Sequence, residues 1–317
     1  MERKTIDNED ESEEEMPEEE FRENALKVGA ASYAAIKNAE KNVRRGESLL
    51  KIATEAEKLL KDEGFGIAFP INISIGSNAA HYTPTFGDDS IFPEKGLVKI
   101  DFGASMKGVL GDCALTVDLS GDYGALAEAS KEALENAISI VKAGVQVRKV
   151  GRVIAETIEK RGFKPIKNLG GHGVGIHELH DEPFIPNYDN GDTETLVENT
   201  IIAIEPFATL PSGKGLVTNG DIKEIFSFID DSVQPRMPNS RSLLDLIKKD
   251  FAFEPFAARW LSGAVSNRFE LYSGLSELER IGVIESHPVL VELSGSQVAQ
   301  FEASLLVTKD GCEVLTK

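Results

Sequence analysis

Lys99-Ile-Asp101-Phe-Gly103-Ala-Ser105-Met-Lys107-Gly108-Val-Leu-Gly111-Asp112-Cys-Ala-Leu-Thr116 reads as two strands folded back on a short turn. With Met106 and Lys107 as a two-residue loop, Asp101 stands directly opposite Asp112 on one face of the hairpin. Their Cβ atoms would lie about 4.5–5.5 Å apart. Like charges so placed repel unless something positive sits between them, and a divalent cation is the natural candidate. Read alone, the stretch also allows two surface aspartates flanking a turn.

Two further segments remove most of that ambiguity. Ile201-Ile-Ala-Ile-Glu205-Pro-Phe and Val298-Ala-Gln-Phe-Glu302-Ala-Ser-Leu-Leu-Val are apolar strands, each interrupted by one glutamate. An unpaired buried carboxylate costs several kcal/mol, so such glutamates are paired, protonated or metal-bound. Asn168-Leu-Gly-Gly-His172-Gly-Val-Gly sets a histidine between glycines, which allow backbone to come close to whatever the imidazole touches. Asp101, Asp112, His172, Glu205 and Glu302 together offer four carboxylates and one imidazole, which balances two dications. That donor set suits Mn²⁺, Fe²⁺, Co²⁺ or Zn²⁺. Paired metals about 3.5–4 Å apart are a recurrent hydrolytic device.

Working outward, residues 23–63 carry a helical period, with Leu49, Leu50, Ala53, Ala56, Leu59 and Leu60 at spacings of three and four. Arg44–Ser48 breaks it, and Ser48 is placed to cap a second helix. A strand is expected over Phe65–Ile75, and helices over Tyr123–Lys142 and Val147–Arg161. Leu60-Lys-Asp-Glu-Gly-Phe65 and Glu159-Lys-Arg-Gly-Phe163 share a phrasing, each ending a helix and opening a strand, which suggests two related α/β halves. From Glu224 to His287 the pattern turns to compact helices rich in leucine and aromatics, and β-type runs resume at Val289–Leu293.

The bulk numbers narrow the class. The 317 residues suffice for one large domain or two modest ones. No uncharged apolar run reaches the roughly 18 residues a membrane helix needs. Two cysteines and no apolar leader fit a reducing, cytoplasmic setting. Net charge is −19, and residues 1–22 hold eleven acids against three bases, too polar to fold alone. That tail reads as a solvated extension, with docking on a basic surface such as the ribosome as its alternative. An acidic body argues against nucleic acid as the main ligand.

The order Asp, Asp, His, Glu, Glu in these contexts resembles the pita-bread family of aminopeptidases and prolidases. Within it, Ala79-Ala-His81-Tyr-Thr-Pro84, the long interval from Glu205 to Glu302, and Ala299-Gln-Phe-Glu302 resemble type II methionine aminopeptidases, the archaeal and eukaryotic kind. The resemblance runs from about residue 25 to the end and takes in Phe256-Ala-Ala-Arg-Trp-Leu261. It implies an α+β, pita-bread (creatinase/aminopeptidase) fold with pseudo-two-fold halves and an inserted, winged-helix-like helical subdomain. The expected division is a disordered tail at 1–22, a catalytic domain at 23–223 and 288–317, and the insertion at 224–287. The implied activity is removal of the initiator methionine from nascent proteins, before a small second residue, by hydroxide shared between two divalent metals. A monomer acting on N-terminal peptides, with no membrane partner, is implied too.

Carried over by position, Asp101 and Asp112 bind one metal with Glu302. Asp112 and Glu302 also bridge to a second, completed by His172 and Glu205. Glu205 is the implied proton carrier, His81 contacts the substrate near its scissile peptide, and His180 steadies the oxyanion. Phe69 matches a methionine-pocket residue, and Leu179 falls where the family usually has a pocket isoleucine. Ile225 falls where eukaryotic members place a pocket histidine, and His287 where a tyrosine is common. Asp181-Glu-Pro183 after His180 resembles type I more than type II. The rival readings are a prolidase or aminopeptidase P, which usually carries a larger N-terminal domain, and a non-enzymatic proliferation-associated relative that has lost metal ligands.

Overall fold

The computed structural model describes residues 16–317, so most of the acidic stretch, 1–15, lies outside the described residues. The first half of the chain holds α1 (Glu18–Asn42), α2 (Leu49–Asp62), β1 (Gly66–Ile75), β2 (Asn78–Ala80), β3 (Leu97–Met106), β4 (Val109–Leu110) and β5 (Cys113–Asp118). Next come α3 (Gly124–Ile138), α4 (Val147–Lys160), β6 (Lys164–Pro165), β7 (Gly170–Gly175), β8 (Glu178–Pro186), β9 (Ile201–Ile204) and β10 (Phe207–Thr209). The last stretch is β11 (Val217–Phe228), α5 (Pro238–Asp250), β12 (Phe256–Ala257), a 3₁₀ segment (Ala258–Ala264), α6 (Arg268–Arg280), β13 (Ile284–Glu292), β14 (Val298–Gln300), β15 (Glu302–Val307) and β16 (Cys312–Val314).

The helix break at Arg44–Ser48 is present, and the Ser48 hydroxyl accepts from the Lys51 amide. The start of α1 corrects the tail boundary: residues 18–22 are helical, not unfolded. Glu18, Glu19 and Glu20 fill the first turn, where acids suit the helix dipole, and Phe21 packs against the core. The two Gly-Phe phrases make the same helix end. Gly64 and Gly162 both sit at positive φ, and the Phe65 and Phe163 amides bond back to the Leu60 and Ile158 carbonyls. α3 stops at Ile138, four residues short of the expected Lys142.

Most strands belong to one nine-stranded sheet, whose main path runs β1-β3-β5-β15-β9-β7-β8. Two helix pairs back it. Buried residues of α1 and α2 cluster with Ile100, Phe102 and Ala104 of β3. Those of α3 and α4 cluster with Ile202 and Ile204 of β9 and Ala303 and Leu305 of β15. A separate four-stranded sheet, β12-β11-β13-β2, carries α5 and α6 around a core of Phe226, Leu243, Ile247, Phe256, Leu261 and Leu275. The region expected to be helices alone is thus framed by strands that pass its edges, since β11 contains Glu224 and β13 contains His287. Those strands mix charge with apolar residues and give little periodic signal beside leucine-rich helices.

Candidate functional site

The hairpin at residues 97–118 is real, but its register differs from the expected one. Lys107 and Gly108 form the turn, both at positive φ (51° and 80°), as a two-residue hairpin turn of this kind requires. Met106 therefore stays in the strand and pairs with Val109. Asp101 faces Ala114 instead of Asp112. Because side chains alternate, Asp112 still projects from the same face as Ala114, one diagonal step from Asp101.

Register then gathers the other ligand-type residues onto that face. Ala114 also pairs with Glu302, so Asp101 and Glu302 flank one strand in a single row. Ala303 pairs with Ile204, which sets Glu205, the next residue, beside Glu302. His172 pairs with Ala203, two residues before Glu205. Three strands, β3, β15 and β7, thus bring Asp101, Glu302 and His172 to the same patch, and the residues just before β5 and just after β9 add Asp112 and Glu205. The glycines around His172 behave as the sequence suggested. A Cβ at Gly171 would lie 2.1 Å from the Ala203 carbonyl oxygen, and one at Gly173 would lie 2.1 Å from that of Glu182.

The five line the floor of a cavity of about 550 Å³. Phe69, His81, Leu179, His180, Ile225 and His287, the remaining residues singled out from sequence, line the same cavity. Four of the chain's five histidines therefore meet there. The His172 and His180 rings are edge to face at 4.6 Å between centroids, and those of His81 and His287 at 6.2 Å. His81, in the left-handed region at φ 65°, points Nδ1 to the Pro288 carbonyl at 3.2 Å. That carbonyl can only accept, so Nδ1 carries the proton and Nε2 is bare. His287 Nε2 lies 2.7 Å from Ser227 Oγ.

The electrostatics are those of a site built for cations. Burial pushes the Asp101 carboxyl up to about 7. Burial first, then neighbouring carboxylates, hold Asp112, Glu205 and Glu302 well above their usual range. Asp101 Oδ1, Asp112 Oδ1 and Glu302 Oε1 are buried without a hydrogen-bond partner. His172 Nδ1 lies 2.9 Å from the Gly173 carbonyl, so its proton is there and Nε2 presents a lone pair. That lone pair faces Asp112 Oδ2 at 3.6 Å. Donor atoms of Asp112, His172 and Glu302 all lie within 4.8 Å of one another. Unpartnered carboxylate oxygens converging beside a bare imidazole nitrogen are what a divalent cation satisfies, and the donor set fits one.

Sequence reasoning missed two residues beside the carboxylates, Asn72 of β1, which lines the cavity, and Gln300 at the end of β14. Asn72 pairs with Asp101 across β1 and β3, and its buried Oδ1 has no partner. Gln300 donates to three of the carboxylates. Its position two residues before Glu302 was the available signal, although Phe301 parts β14 from β15 between them.

The family model of metallopeptidase family M24 matches residues 23–234. The methionine aminopeptidase of Pyrococcus horikoshii is 40% identical over 293 residues, covering 92% of this chain and 98% of the relative. That of Archaeoglobus fulgidus is 39% identical over 300 residues, covering 95% and 100%. Among solved structures, a methionine aminopeptidase from Thermotoga maritima superposes with a TM-score of 0.69 at 25% identity, covering 95% of this chain and 98% of that one. A thermophilic Arx1 gives 0.78 at 16% identity, over 93% and 90%, a likeness of fold alone. The prolidase from Pyrococcus furiosus gives 0.60 at 19%, with only 64% of its chain covered.

Proposed function

The chain belongs to metallopeptidase family M24, and from that membership we propose a metal-dependent aminopeptidase that removes the initiator methionine from new proteins before a small second residue. Its fold is the pita-bread fold of that family. The observation that carries the reading is the convergence of Asp101, Asp112, His172, Glu205 and Glu302 in a cavity whose lining also includes Phe69, Leu179 and Ile225. Those three side chains suit the unbranched, polarisable thioether of methionine.

Asp101, Asp112 and Glu302 would hold one divalent ion, and Asp112, Glu302, His172 and Glu205 a second, drawn from Mn²⁺, Fe²⁺, Co²⁺ and Zn²⁺. When bound, such ions acidify a water and polarise the peptide carbonyl. Glu205, a carboxyl that burial and its neighbours bias towards keeping a proton, takes one from the attacking water and returns it to the leaving nitrogen. His180 is held neutral by burial and by the other histidines, and offers its one N–H to the developing oxyanion. A donor in that position is worth roughly 2.7–4 kcal/mol. His81 presents its bare Nε2 to the scissile amide, because Nδ1 is committed to Pro288. Ile225 and His287 close the pocket wall beside it.

A cleavage panel with each added metal tests this. Met-Ala-Ser should be cut and an Xaa-Pro dipeptide should not. The reverse result would favour the prolidase reading, and no cleavage with any of the four metals would sink the enzyme assignment.

A further inference from the structure

Gln300 ends β14 and is 1% exposed. Its Nε2 lies 3.2 Å from Asp101 Oδ2, 3.2 Å from Glu205 Oε2 and 3.2 Å from Glu302 Oε2. One primary amide therefore touches the carboxylates of β3 and β15 and that of Glu205, just past β9, with two hydrogens for three acceptors. Its own Oε1 has no partner, so the donor end alone orients the side chain. The backbone beneath it is fixed: the Gln300 amide donates to Thr116 Oγ1 at 2.9 Å, and Thr116 Oγ1 donates to the Gln300 carbonyl at 2.6 Å.

The oxygens divide in a telling way. Asp101 Oδ2 and Glu302 Oε2 are the ones Gln300 holds. Asp101 Oδ1 and Glu302 Oε1 are the ones left buried and unsatisfied. We propose that Gln300 is the positioning residue of the carboxylate site, pinning one oxygen of each carboxylate so that its other lone pairs converge on divalent cations. A neutral donor is the group suited to that task. An ammonium or guanidinium would neutralise the cluster and compete with the cation, whereas another carboxylate would add repulsion. Groups that orient metal ligands from behind typically matter 10–100-fold in affinity.

This inference rests on reading the cluster as a divalent-cation site, and its test separates the two. Metal-free protein is titrated calorimetrically with Mn²⁺, and the visible absorption of the Co²⁺ form is recorded. Gln300→Met keeps the length and removes the donors. It should weaken Mn²⁺ binding about 10–100-fold and alter the Co²⁺ spectrum, with an unchanged far-ultraviolet dichroism. Gln300→Asn, which draws the amide back by one methylene, should also lose affinity, and it keeps the test open where the methionine variant does not fold. Affinity within twofold of the parent in a folded variant, with an unaltered Co²⁺ spectrum, overturns the proposal alone. No Mn²⁺ or Co²⁺ binding by the unmodified protein overturns the cation-site reading and the proposal together.

Discussion

Removing divalent metal should destabilise the protein by an amount that grows with pH. The four carboxyls of the cluster have raised pKa values in the folded chain, Asp101 at about 7 and the other three well above their usual range, against about 4 when unfolded. Groups raised in this way favour folding below their unfolded pKa and lose that contribution as pH rises through the folded one. With cations bound the same groups are ionised, so the metal-loaded protein escapes the loss and the gap between the two forms widens. Each proton displaced is worth ~1.36 kcal/mol per pH unit. At ~2.1 cal/mol/K per residue, a 317-residue chain has an unfolding entropy of about 0.67 kcal/mol/K. The metal-induced rise in Tm should therefore grow by ~2 °C per pH unit for each proton that the metal-free cluster retains.

The window that isolates this effect is pH 6.5–8, at fixed free Mn²⁺. Burial first lowers the pKa values of His172 and His180, which moves the titration of both rings to the acid side of that window. Burial also brings Lys99, on the Gly76 carbonyl, down to about 7, and it acts in the opposite sense above that pH. Lys99 contributes to both forms and cancels in the difference. Scanning calorimetry with and without chelator gives the curve, and an indicator dye in weak buffer gives the protons released on binding. A metal increment that stays flat across the window, with less than about half a proton released, would refute the electrostatic account of the site.

Three other outcomes follow from the same structure. Asp112→Ala removes the carboxylate nearest His172 Nε2, so metal retained after dialysis and peptidase activity should both be lost while circular dichroism is unchanged; activity above a tenth of the parent's contradicts the assignment. Arg259→Met strips the buried Glu57 carboxylate of its ion-pair partner, leaving it the Trp260 indole, which should cost ~3–5 kcal/mol, or ~5–7 °C in Tm by calorimetry. A loss under about 1 kcal/mol would show that the pair is not desolvated. For His287, whose pKa burial lowers, the charged ring appears only on the acid side of its usual range; KM for Met-Ala-Ser should rise towards pH 5.5, and His287→Tyr, which keeps a hydroxyl for Ser227, should flatten that rise with little effect on kcat. An unaltered KM profile would leave His287 as a wall residue without an electrostatic part.

What the chain disclosed in advance depends on the range over which each signal acts. Ser48 as a cap and the paired Gly-Phe helix ends are local, set by backbone bonds a few residues apart, and they stand where the sequence put them. A lone glutamate in an apolar strand is local too, because the expense of its burial is visible without knowing its partner. Hairpin register is less so. Met106-Lys107 and Lys107-Gly108 both look like two-residue turns, and the choice falls on the pair whose second member is glycine, at φ 80°.

Two partnerships far apart in sequence left no trace outside the ligand set. Nothing in Glu57 announces Arg259, 202 positions away, although that buried pair, with the bonds from Arg259 Nη1 to Thr83 Oγ1 and the Pro84 carbonyl, ties the α5–α6 region to the loop that carries His81. Gln300 is the sharper case. Glutamine in a strand is unremarkable chemistry, and only the meeting of β3, β9 and β15 gives its amide three carboxylates to hold. Charge can be read along a chain because an ion must be answered wherever it is buried. A neutral amide can be left facing water, so its role becomes visible only when the strands that surround it are in place.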